Sequence, residues 1–255
     1  MCRMMAKVSP APASILDEML HCPTSLHYLS ENGRQPDAPS KRGGHNDGCG
    51  LAFVNNGTIE IERRDKEHAW DESYQAVIRE TQSKIFIAHN RLASEGLNNS
   101  LDAAHPFFYQ PGTVPYALSH NGGIKTFMAE ARELGTSDSN IFLRHIVDAK
   151  EADPARDFAD IVTTATWHAE YNSLSAFLIT SDELWAWRVY NDSDKSKIAL
   201  YEAYYTLYLS FQNNAVLISS EPLDDGNWML LPNKTFLSLK PAKDKIEIRY
   251  QSLDL

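Results

Sequence analysis

Alternating apolar and polar residues predict β-strands along most of this chain. Turn residues mark three strand pairs: "GLAFVNNGTIEIER" with Asn-Asn-Gly at its centre, "LSAFLITSDELWAWRVYND" turning at 181–183, and "YTLYLSFQNNAVLISSEPL" turning at 213–214. Further strands are predicted in "SKIFIAHNRLA", "VPYALSHNGGI" and "KTFLSLKPAKDKIEIRYQ". Strands therefore dominate both ends of the sequence.

Helical spacing of apolar residues occurs in two central segments, "SDSNIFLRHIVDAKE" and "ARDFADIVTTATWHAEY". A shorter helix is predicted near the N-terminus in "SPAPASILDEMLHC", capped at Ser14. The segment 30–48 is rich in Gly, Pro and Ser and predicts a long functional surface loop. Strands, then two helices, then strands favour an α+β fold with largely antiparallel sheets stacked face to face. We expect one domain spanning residues 1–255.

The charge of the chain excludes some classes of partner. It has 24 basic and 34 acidic residues, a formal net charge of −10 at pH 7. Binding to nucleic acid or to an anionic membrane surface needs clustered Lys and Arg, which the sequence lacks. We therefore expect neither partner.

The three cysteines indicate a reducing compartment. Cys2, Cys22 and Cys49 are too few for a disulfide framework, and their spacing matches no CxxC or Cys/His metal motif. The N-terminal segment has no apolar run of signal-peptide length, and no stretch approaches a membrane span. We expect a cytoplasmic protein.

Cys2 directly follows the initiator methionine in "MCRMM". Removal of Met1 would place a thiol and a free α-amino group on one residue. An α-amino group titrates near pKa ~7.7–8.0, against ~8.5 for a free thiol, so the amine can accept the thiol proton and later return it. The position thus favours an N-terminal nucleophile that carries its own base. A cysteine at this position also arises by chance.

Three other residues are candidates for a substrate site. Arg91 follows an apolar strand, and a fixed guanidinium can hold a carboxylate through two hydrogen bonds, although a solvated strand-end arginine explains it equally. Asn121 and Gly122 also follow a strand and either form a hairpin turn or donate hydrogen bonds to an oxyanion. Asp138 either caps the following helix or binds a substrate ammonium group.

The order of these segments resembles the class II glutamine amidotransferases. The matching segments are the N-terminal Cys, "HNDGCG", "AHNRLASEG", "AHPF", "SHNGGI" and "SDSN". Within that family, "MCR" and "LISSEPLDDGNWMLLP" are similar to stand-alone members, in particular the γ-glutamyl amidohydrolases of ergothioneine biosynthesis and fungal glutathione-degrading relatives. The resemblance implies an N-terminal-nucleophile (Ntn) hydrolase with a four-layer αββα sandwich.

The resemblance also implies a role for each candidate residue. Cys2 would attack the γ-amide carbonyl and form a γ-glutamyl thioester, while Asn121 and Gly122 would stabilise the oxyanion. Arg91 would bind the substrate α-carboxylate, and Asp138 its α-ammonium group.

Further residues would complete the substrate site. Ser94 stands where threonine is common in the family and keeps the hydroxyl, and His105 would shape the segment after the arginine. The loop residues His45, Asp47, Gly48 and Gly50 would support the site.

The expected function is cleavage of the γ-glutamyl amide bond of glutamine or of a γ-glutamyl compound, with release of glutamate and without a metal or organic cofactor. Two alternatives remain open. The chain is a glutaminase that passes ammonia to a separate acceptor enzyme, or it is a binding or regulatory protein that keeps the fold without turnover. The expected hydrolase and the alternative glutaminase would both bind a small-molecule substrate.

Overall fold

The computed structural model describes residues 2–35, 41–93 and 101–255. Thirteen strands are described: β1 (Arg3–Ser14), β2 (Cys49–Asn55), β3 (Thr58–Arg64), β4 (Gln82–Asn90), β5 (Phe107–Tyr109), β6 (Tyr116–Asn121), β7 (Ser175–Ile179), β8 (Leu184–Arg188), β9 (Tyr208–Gln212), β10 (Ala215–Ser219), β11 (Met229–Leu230), β12 (Thr235–Pro241) and β13 (Ile246–Ser252). The α-helices among the described residues are α1 (Leu26–Asn32), α2 (Glu72–Glu80), α3 (Lys125–Glu133), α4 (Asp138–Ala152), α5 (Phe158–Trp167) and α6 (Ile198–Tyr204).

The strands form two antiparallel sheets. The seven-stranded sheet has the order β11-β9-β10-β1-β4-β2-β3, and the six-stranded sheet has the order β13-β12-β8-β7-β6-β5. The N-terminal strand β1 therefore lies inside its sheet, with β10 on one side and β4 on the other. These two neighbouring strands therefore also determine where Cys2, the residue before β1, lies.

Alternation along each strand divides its apolar residues between two cores. Met4, Ala6 and Val8 of β1 belong to the core between the sheets, together with Phe177 of β7 and Leu237 of β12. Such alternation follows from the two-residue period of a strand. The inner faces of both sheets are thus packed against each other.

The outer faces are covered by helices. Residues from α1, α2 and a π-helical turn (Asp17–His21) pack on the seven-stranded sheet, and residues from α4 and α5 pack on the six-stranded sheet. The result is the four-layer αββα arrangement, so the predicted fold class is confirmed. Each of the three hairpins is also found, as β2–β3, β7–β8 and β9–β10.

The helix predicted after Ser14 is confirmed only as one turn, at the start of which Ser14 Oγ accepts a hydrogen bond from Leu16 N over 3.2 Å. Strand β1 extends to Ser14, which pairs with Gln82, and only a single π-helical turn follows. Pro10 and Pro12 in this segment would normally end a strand, but the register of β1 against β4 is interrupted between Val8 and Ala13. A β-bulge removes the need for the backbone hydrogen bonds that proline cannot donate.

The sequence also indicated too few helices. The described residues include four short helices that were not predicted, α1, α2, α3 and α6. Helix α1 takes the first residues of the predicted loop 30–48, while residues 36–40 of that loop lie outside the described residues. Helices of seven to nine residues offer little periodicity, and tertiary packing decides whether they form.

Candidate active site

Cys2 lies at the N-terminal end of β1, where the ends of the two sheets adjoin. Its main-chain nitrogen donates a hydrogen bond to Asn121 Oδ1 over 2.9 Å, and Asn121 is the last residue of β6. The residue is buried, with 6% of its surface exposed. The side chain therefore occupies a fixed, enclosed position in the gap between the sheets.

The register of β1 brings Cys2 close to two residues of β4 and its continuation. Arg3 pairs with Asn90 and Met4 with His89, so one further step along the register places Cys2 opposite Arg91. Neighbours two residues apart on a strand share one face. His89 and Arg91 therefore both lie on the inner side of the sheet, beside Cys2.

The environment of the Cys2 thiol favours the thiolate. Burial raises its pKa, but the charges of the nearby His89 imidazole and of the N-terminus, together with hydrogen bonds from His89 and the Leu92 backbone, outweigh burial and lower the pKa to about 6. His89 itself is fully buried, and its Nε2 lies 3.2 Å from the carbonyl oxygen of His120, to which it donates. A thiolate is the nucleophilic form of cysteine.

Arg91 is held by the loop that precedes β2. Its main-chain N–H donates to Gly48 O over 2.8 Å, and its carbonyl accepts from Asp47 N over 3.0 Å. The Asp47 carboxylate also accepts from Ala93 N over 3.0 Å and from Lys66 Nζ over 3.0 Å. The loop 45–48 thus fixes the chain on both sides of the guanidinium, in the supporting position that the resemblance implied.

The segment after Asn121 does not form the hairpin turn that was one of its two interpretations. The chain continues from β6 into α3, and Gly122 has a φ of 153°. A Cβ atom at Gly122 would lie 2.0 Å from the carbonyl oxygen of Ser173, so only glycine fits there. Gly123 N donates to Asn172 Oδ1 over 2.7 Å. The backbone at 122–123 is therefore both close to the pocket and rigid.

Asp138 is the first residue of α4 and is buried. One carboxylate oxygen accepts from Ile124 N over 2.6 Å, and the other accepts from Ser139 N over 3.0 Å and from the Ser137 hydroxyl. Ser137 is the N-cap residue of the helix. Asp138 is therefore not the cap itself but supports it from the first helical position.

These groups line one pocket. Cys2, Arg91, Gly122 and Asp138 all contribute to its wall, as does His105. Asn121 reaches the same place through its hydrogen bond to Cys2. Ser94, the remaining predicted residue, lies outside the described residues.

A family model describing the class-II glutamine amidotransferases matches residues 29–247, most of the chain. The chain belongs to the class-II glutamine amidotransferases. Among the curated proteins compared with this amidotransferase, none matches it significantly.

Solved structures share the fold of this amidotransferase at low sequence identity. The Bacillus subtilis glutamine phosphoribosylpyrophosphate amidotransferase, in complex with ADP and GMP, has a TM-score of 0.67 and 11% identity; all of this chain is covered, and 50% of that one. A glutamine aminotransferase class-II domain protein from Silicibacter pomeroyi has a TM-score of 0.60 and 17% identity, with 99% of each chain covered.

A third structure is a predicted glutamine amidotransferase from Pseudomonas aeruginosa PA01. It has a TM-score of 0.55 and 18% identity, with 96% of this chain and 99% of that chain covered. The amidotransferase described here spans about half the length of the phosphoribosylpyrophosphate amidotransferase and nearly the full length of the other two.

Two histidines of this amidotransferase were missed by the sequence analysis, although both lie in quoted motifs. His89 of "AHNR" precedes Arg91 by two residues, and this spacing places both on one strand face. His120 of "SHNG" joins three elements, since Nε2 donates to Ser173 O over 3.0 Å and Nδ1 accepts from the Ser139 hydroxyl over 2.8 Å. It therefore ties the end of β6 to the start of α4.

His105 packs behind His89. Their ring centroids are 4.1 Å apart, and neither ring nitrogen of His105 has a hydrogen-bond partner among the described residues. Burial, together with the charges of neighbouring cationic groups, holds the pKa of His105 well below its usual range. A neutral His105 packs against His89 without adding charge to the pocket.

Two features are absent from the described residues of the amidotransferase. No group of three or more His, Cys, Asp or Glu side chains there is arranged to hold a metal ion. In the same residues, no helix is both long enough and apolar enough to cross a lipid bilayer.

Proposed function

We propose that this amidotransferase hydrolyses the γ-glutamyl amide bond of glutamine or of a γ-glutamyl compound through a thioester on Cys2. One observation carries the proposal: the buried Cys2 thiol shares a pocket with the cation of Arg91 and the anion of Asp138. The α-carbon of a γ-glutamyl group carries a carboxylate and an ammonium group. A site with one fixed charge of each sign orients such a zwitterion.

The first chemical step is attack of the Cys2 sulfur on the γ-carbonyl carbon. After removal of Met1 the Cys2 nitrogen is an α-amine, and it accepts the thiol proton before delivering it to the leaving nitrogen. The C–N bond then breaks, and the γ-glutamyl group remains as a thioester. Water attacks the thioester, its proton returning through the same amine, and glutamate and the free thiol are released.

Asn121 and Gly122 stabilise the oxyanion formed in both steps. Because Asn121 Oδ1 accepts from the Cys2 nitrogen, its Nδ2 group is the end that can donate to substrate. The Gly122 N–H supplies a second donor from a backbone that cannot shift, since Ser173 packs against it. Fixed donors aimed at a developing negative charge are among the strongest catalytic devices.

The proposed chemistry uses only protein groups and needs no metal or organic cofactor. Ser94 and His105 would complete the substrate site. Within the family we place the chain with the ergothioneine-pathway γ-glutamyl amidohydrolases. The resemblance of the motifs "MCR" and "SSEP" supports this placement. In the structure the two motifs are neighbours, since Arg3 of the first and Glu221 of the second form an ion pair over 2.8 Å.

We further propose that residues 1–255 act as one catalytic domain. Strand β1, at the start of the chain, pairs with β10 from its last part, so one sheet contains strands from both regions. Its free cysteines favour the reducing cytoplasm. If free glutamine is the preferred substrate, a separate acceptor enzyme would receive the ammonia.

The test is release of glutamate from a panel of γ-glutamyl peptides, γ-glutamyl thiol conjugates and glutamine. Intact mass should show that Met1 is absent, and a glutamine-mimicking electrophile should label Cys2 alone. Cys2→Ala should abolish release and labelling, whereas the matched control Cys49→Ser should leave both intact, because burial raises the pKa of Cys49 to about 12.

The outcomes separate the candidate functions. Faster turnover of glutamine than of any γ-glutamyl peptide, with a co-purifying partner, would support the glutaminase. No release of glutamate from folded protein that lacks Met1 would support a binding protein and overturn the proposal.

A further inference from the structure

A nucleophile at the end of a chain must be ordered where termini usually fray. The paired part of β1 begins at Arg3, so Cys2 lies beyond the last residue pair of the ladder. Among the described residues, the hydrogen bond from its nitrogen to Asn121 Oδ1 links Cys2 to the opposite sheet. The order of Cys2 therefore depends on what holds the next residue.

Contacts with Glu221, Arg34 and Tyr204 hold the Arg3 side chain. It is fully buried, its Nε lies 2.8 Å from Glu221 Oε1, and its Nη2 donates to the carbonyl of Arg34 over 2.6 Å. The guanidinium carbon lies 4.4 Å from the centre of the Tyr204 ring. A Cβ atom at Gly33 would come within 2.9 Å of the Arg3 side chain, so the packing on that side is close.

Glu221 belongs to the segment that follows β10 and runs beside the start of β1. Ser220 of this segment donates its N–H to Met4 O over 2.9 Å, and its hydroxyl accepts from Met4 N over 3.1 Å. Glu221 also accepts from Arg34 N over 2.8 Å, and it pairs with Arg42 over 3.2 Å. One carboxylate thus connects β1 to the chain on both sides of residues 36–40.

We propose that Arg3 and Glu221 form a positioning pair that fixes the Cys2 nucleophile. The proposal rests on the proposed function, in which Cys2 attacks the substrate. Neither residue touches substrate, because Arg3 points to the outer face of the sheet and Cys2 to the inner face. Their effect is to keep the strand end in place while the thiol and its amine react.

The chemistry of the pair explains its rigidity. A buried guanidinium without a counter-ion is strongly unfavourable, so Arg3 cannot leave Glu221 without a large cost. A long apolar side chain would fill the same space but would lack the ion pair with Glu221 and the hydrogen bond to Arg34. Replacing both partners with apolar residues therefore leaves no unpaired buried charge. The variant can fold, and any loss of activity then reports on the position of Cys2.

The experiment compares two double variants of β1. In Arg3→Met/Glu221→Met the positioning pair is removed. In Lys7→Met/Glu18→Met the control removes an ion pair on the same strand and the same outer face, farther from Cys2, whose two side chains are each 11% exposed. For each folded protein, kcat, KM and the rate of Cys2 alkylation against pH are measured, with intact mass to verify loss of Met1.

We expect at least a tenfold lower kcat in Arg3→Met/Glu221→Met, with KM changed less than threefold because Arg91 and Asp138 are intact. The pH profile of Cys2 alkylation should shift as the thiol leaves His89. The control should match the wild type in all three measurements. Wild-type kcat and an unshifted alkylation profile in Arg3→Met/Glu221→Met would overturn the proposal.

A second variant covers the case in which the double variant does not fold. Glu221→Gln keeps the size of the side chain and an oxygen that accepts from Arg34 N, but it loses the charge. It should lower kcat at least threefold at unchanged KM, and equality with the wild type would count against the pair. If the wild type releases no glutamate from any compound, the proposed function fails, and the alkylation profiles still decide the positioning.

Discussion

The Cys2 nitrogen and Asn121 Oδ1 are hydrogen-bonded over 2.9 Å, although 119 residues separate them in the sequence. Each residue stands at the end of a strand, one in the seven-stranded and one in the six-stranded sheet. The contact therefore joins the two halves of the sandwich at the proposed reaction centre. It also sets the orientation of the Asn121 amide, on which the first prediction depends.

Asn121→Asp should lower kcat by about 10²–10³-fold, the loss seen when one oxyanion donor is removed. The aspartate can still accept from the Cys2 nitrogen, but it presents a second acceptor where the substrate oxyanion needs a donor. KM should change little, because the groups that bind the α-carbon are untouched. Steady-state kinetics on a γ-glutamyl substrate test this, and wild-type kcat would exclude Asn121 from the oxyanion site.

The Cys2 thiol should titrate with a midpoint near pH 6 in the folded protein, as its lowered pKa of about 6 requires. The thiolate is present above this pH and is lost as the pH falls through it. Alkylation by iodoacetamide between pH 4 and 9, followed by mass spectrometry, measures the midpoint. A midpoint near the ~8.5 of a free thiol would contradict the role of the pocket.

His89→Gln should move that midpoint upward. The imidazole charge and hydrogen bond lower the pKa of Cys2, and without them only the N-terminal charge and the Leu92 backbone hydrogen bond would oppose the effect of burial. The same alkylation profile measures the change, with the melting temperature as a check on folding. An unchanged midpoint would show that another group stabilises the thiolate.

Arg91→Ala and Asp138→Asn should each reduce kcat/KM for γ-glutamyl substrates by about 10²-fold or more, because a charge-assisted contact to the zwitterion is lost. A substrate analogue without the α-carboxylate tests the assignment within the pair. Arg91→Ala should barely affect turnover of this analogue, whereas Asp138→Asn should still impair it. Equal losses on both compounds would indicate that Arg91 acts on the fold of the loop instead.

Gly122→Ala should destabilise the protein by roughly 3 kcal/mol or more, since a Cβ there meets Ser173 O at 2.0 Å. Gly135→Ala is the matched control. It also has a positive φ, 64°, but no atom lies within 4 Å of the added Cβ, so only the backbone cost of about 1–2 kcal/mol applies. Denaturant unfolding of both variants gives the difference, and equal losses would mean that Ser173 yields.

Local signals in the sequence were sufficient for the hairpins and for α4 and α5. Turn residues fix a hairpin within a few positions, and Asn213 and Asn214 do adopt positive φ values of 49° and 60°. Helix α6 (Ile198–Tyr204) was not predicted, because contacts from distant segments hold it: Arg34 donates to Ala203 O over 3.3 Å, and the Arg3 guanidinium lies 4.4 Å from the Tyr204 ring. Non-local contacts of this kind leave little trace in a local pattern.

The candidate site was predicted from short motifs. The residues that the motifs missed depend on non-local contacts, as α6 does. Cys2, Arg91, Asn121 and Asp138 were selected because their motifs follow the order found in the family, although each residue alone has an ordinary explanation. Arg3 had no assignable role in the sequence, since its meaning depends on Glu221, which only the strand order brings beside it.

The place of β1 between β4 and β10 has a consequence for biosynthesis. During translation the first strand leaves the ribosome long before β10 (Ala215–Ser219) exists, a delay of roughly 10 to 40 s at ordinary elongation rates. For that interval the nascent end is open to the aminopeptidase that the proposed mechanism requires, and it becomes enclosed only when β10 arrives. The strand order thus allows Met1 to be removed before β10 pairs with β1.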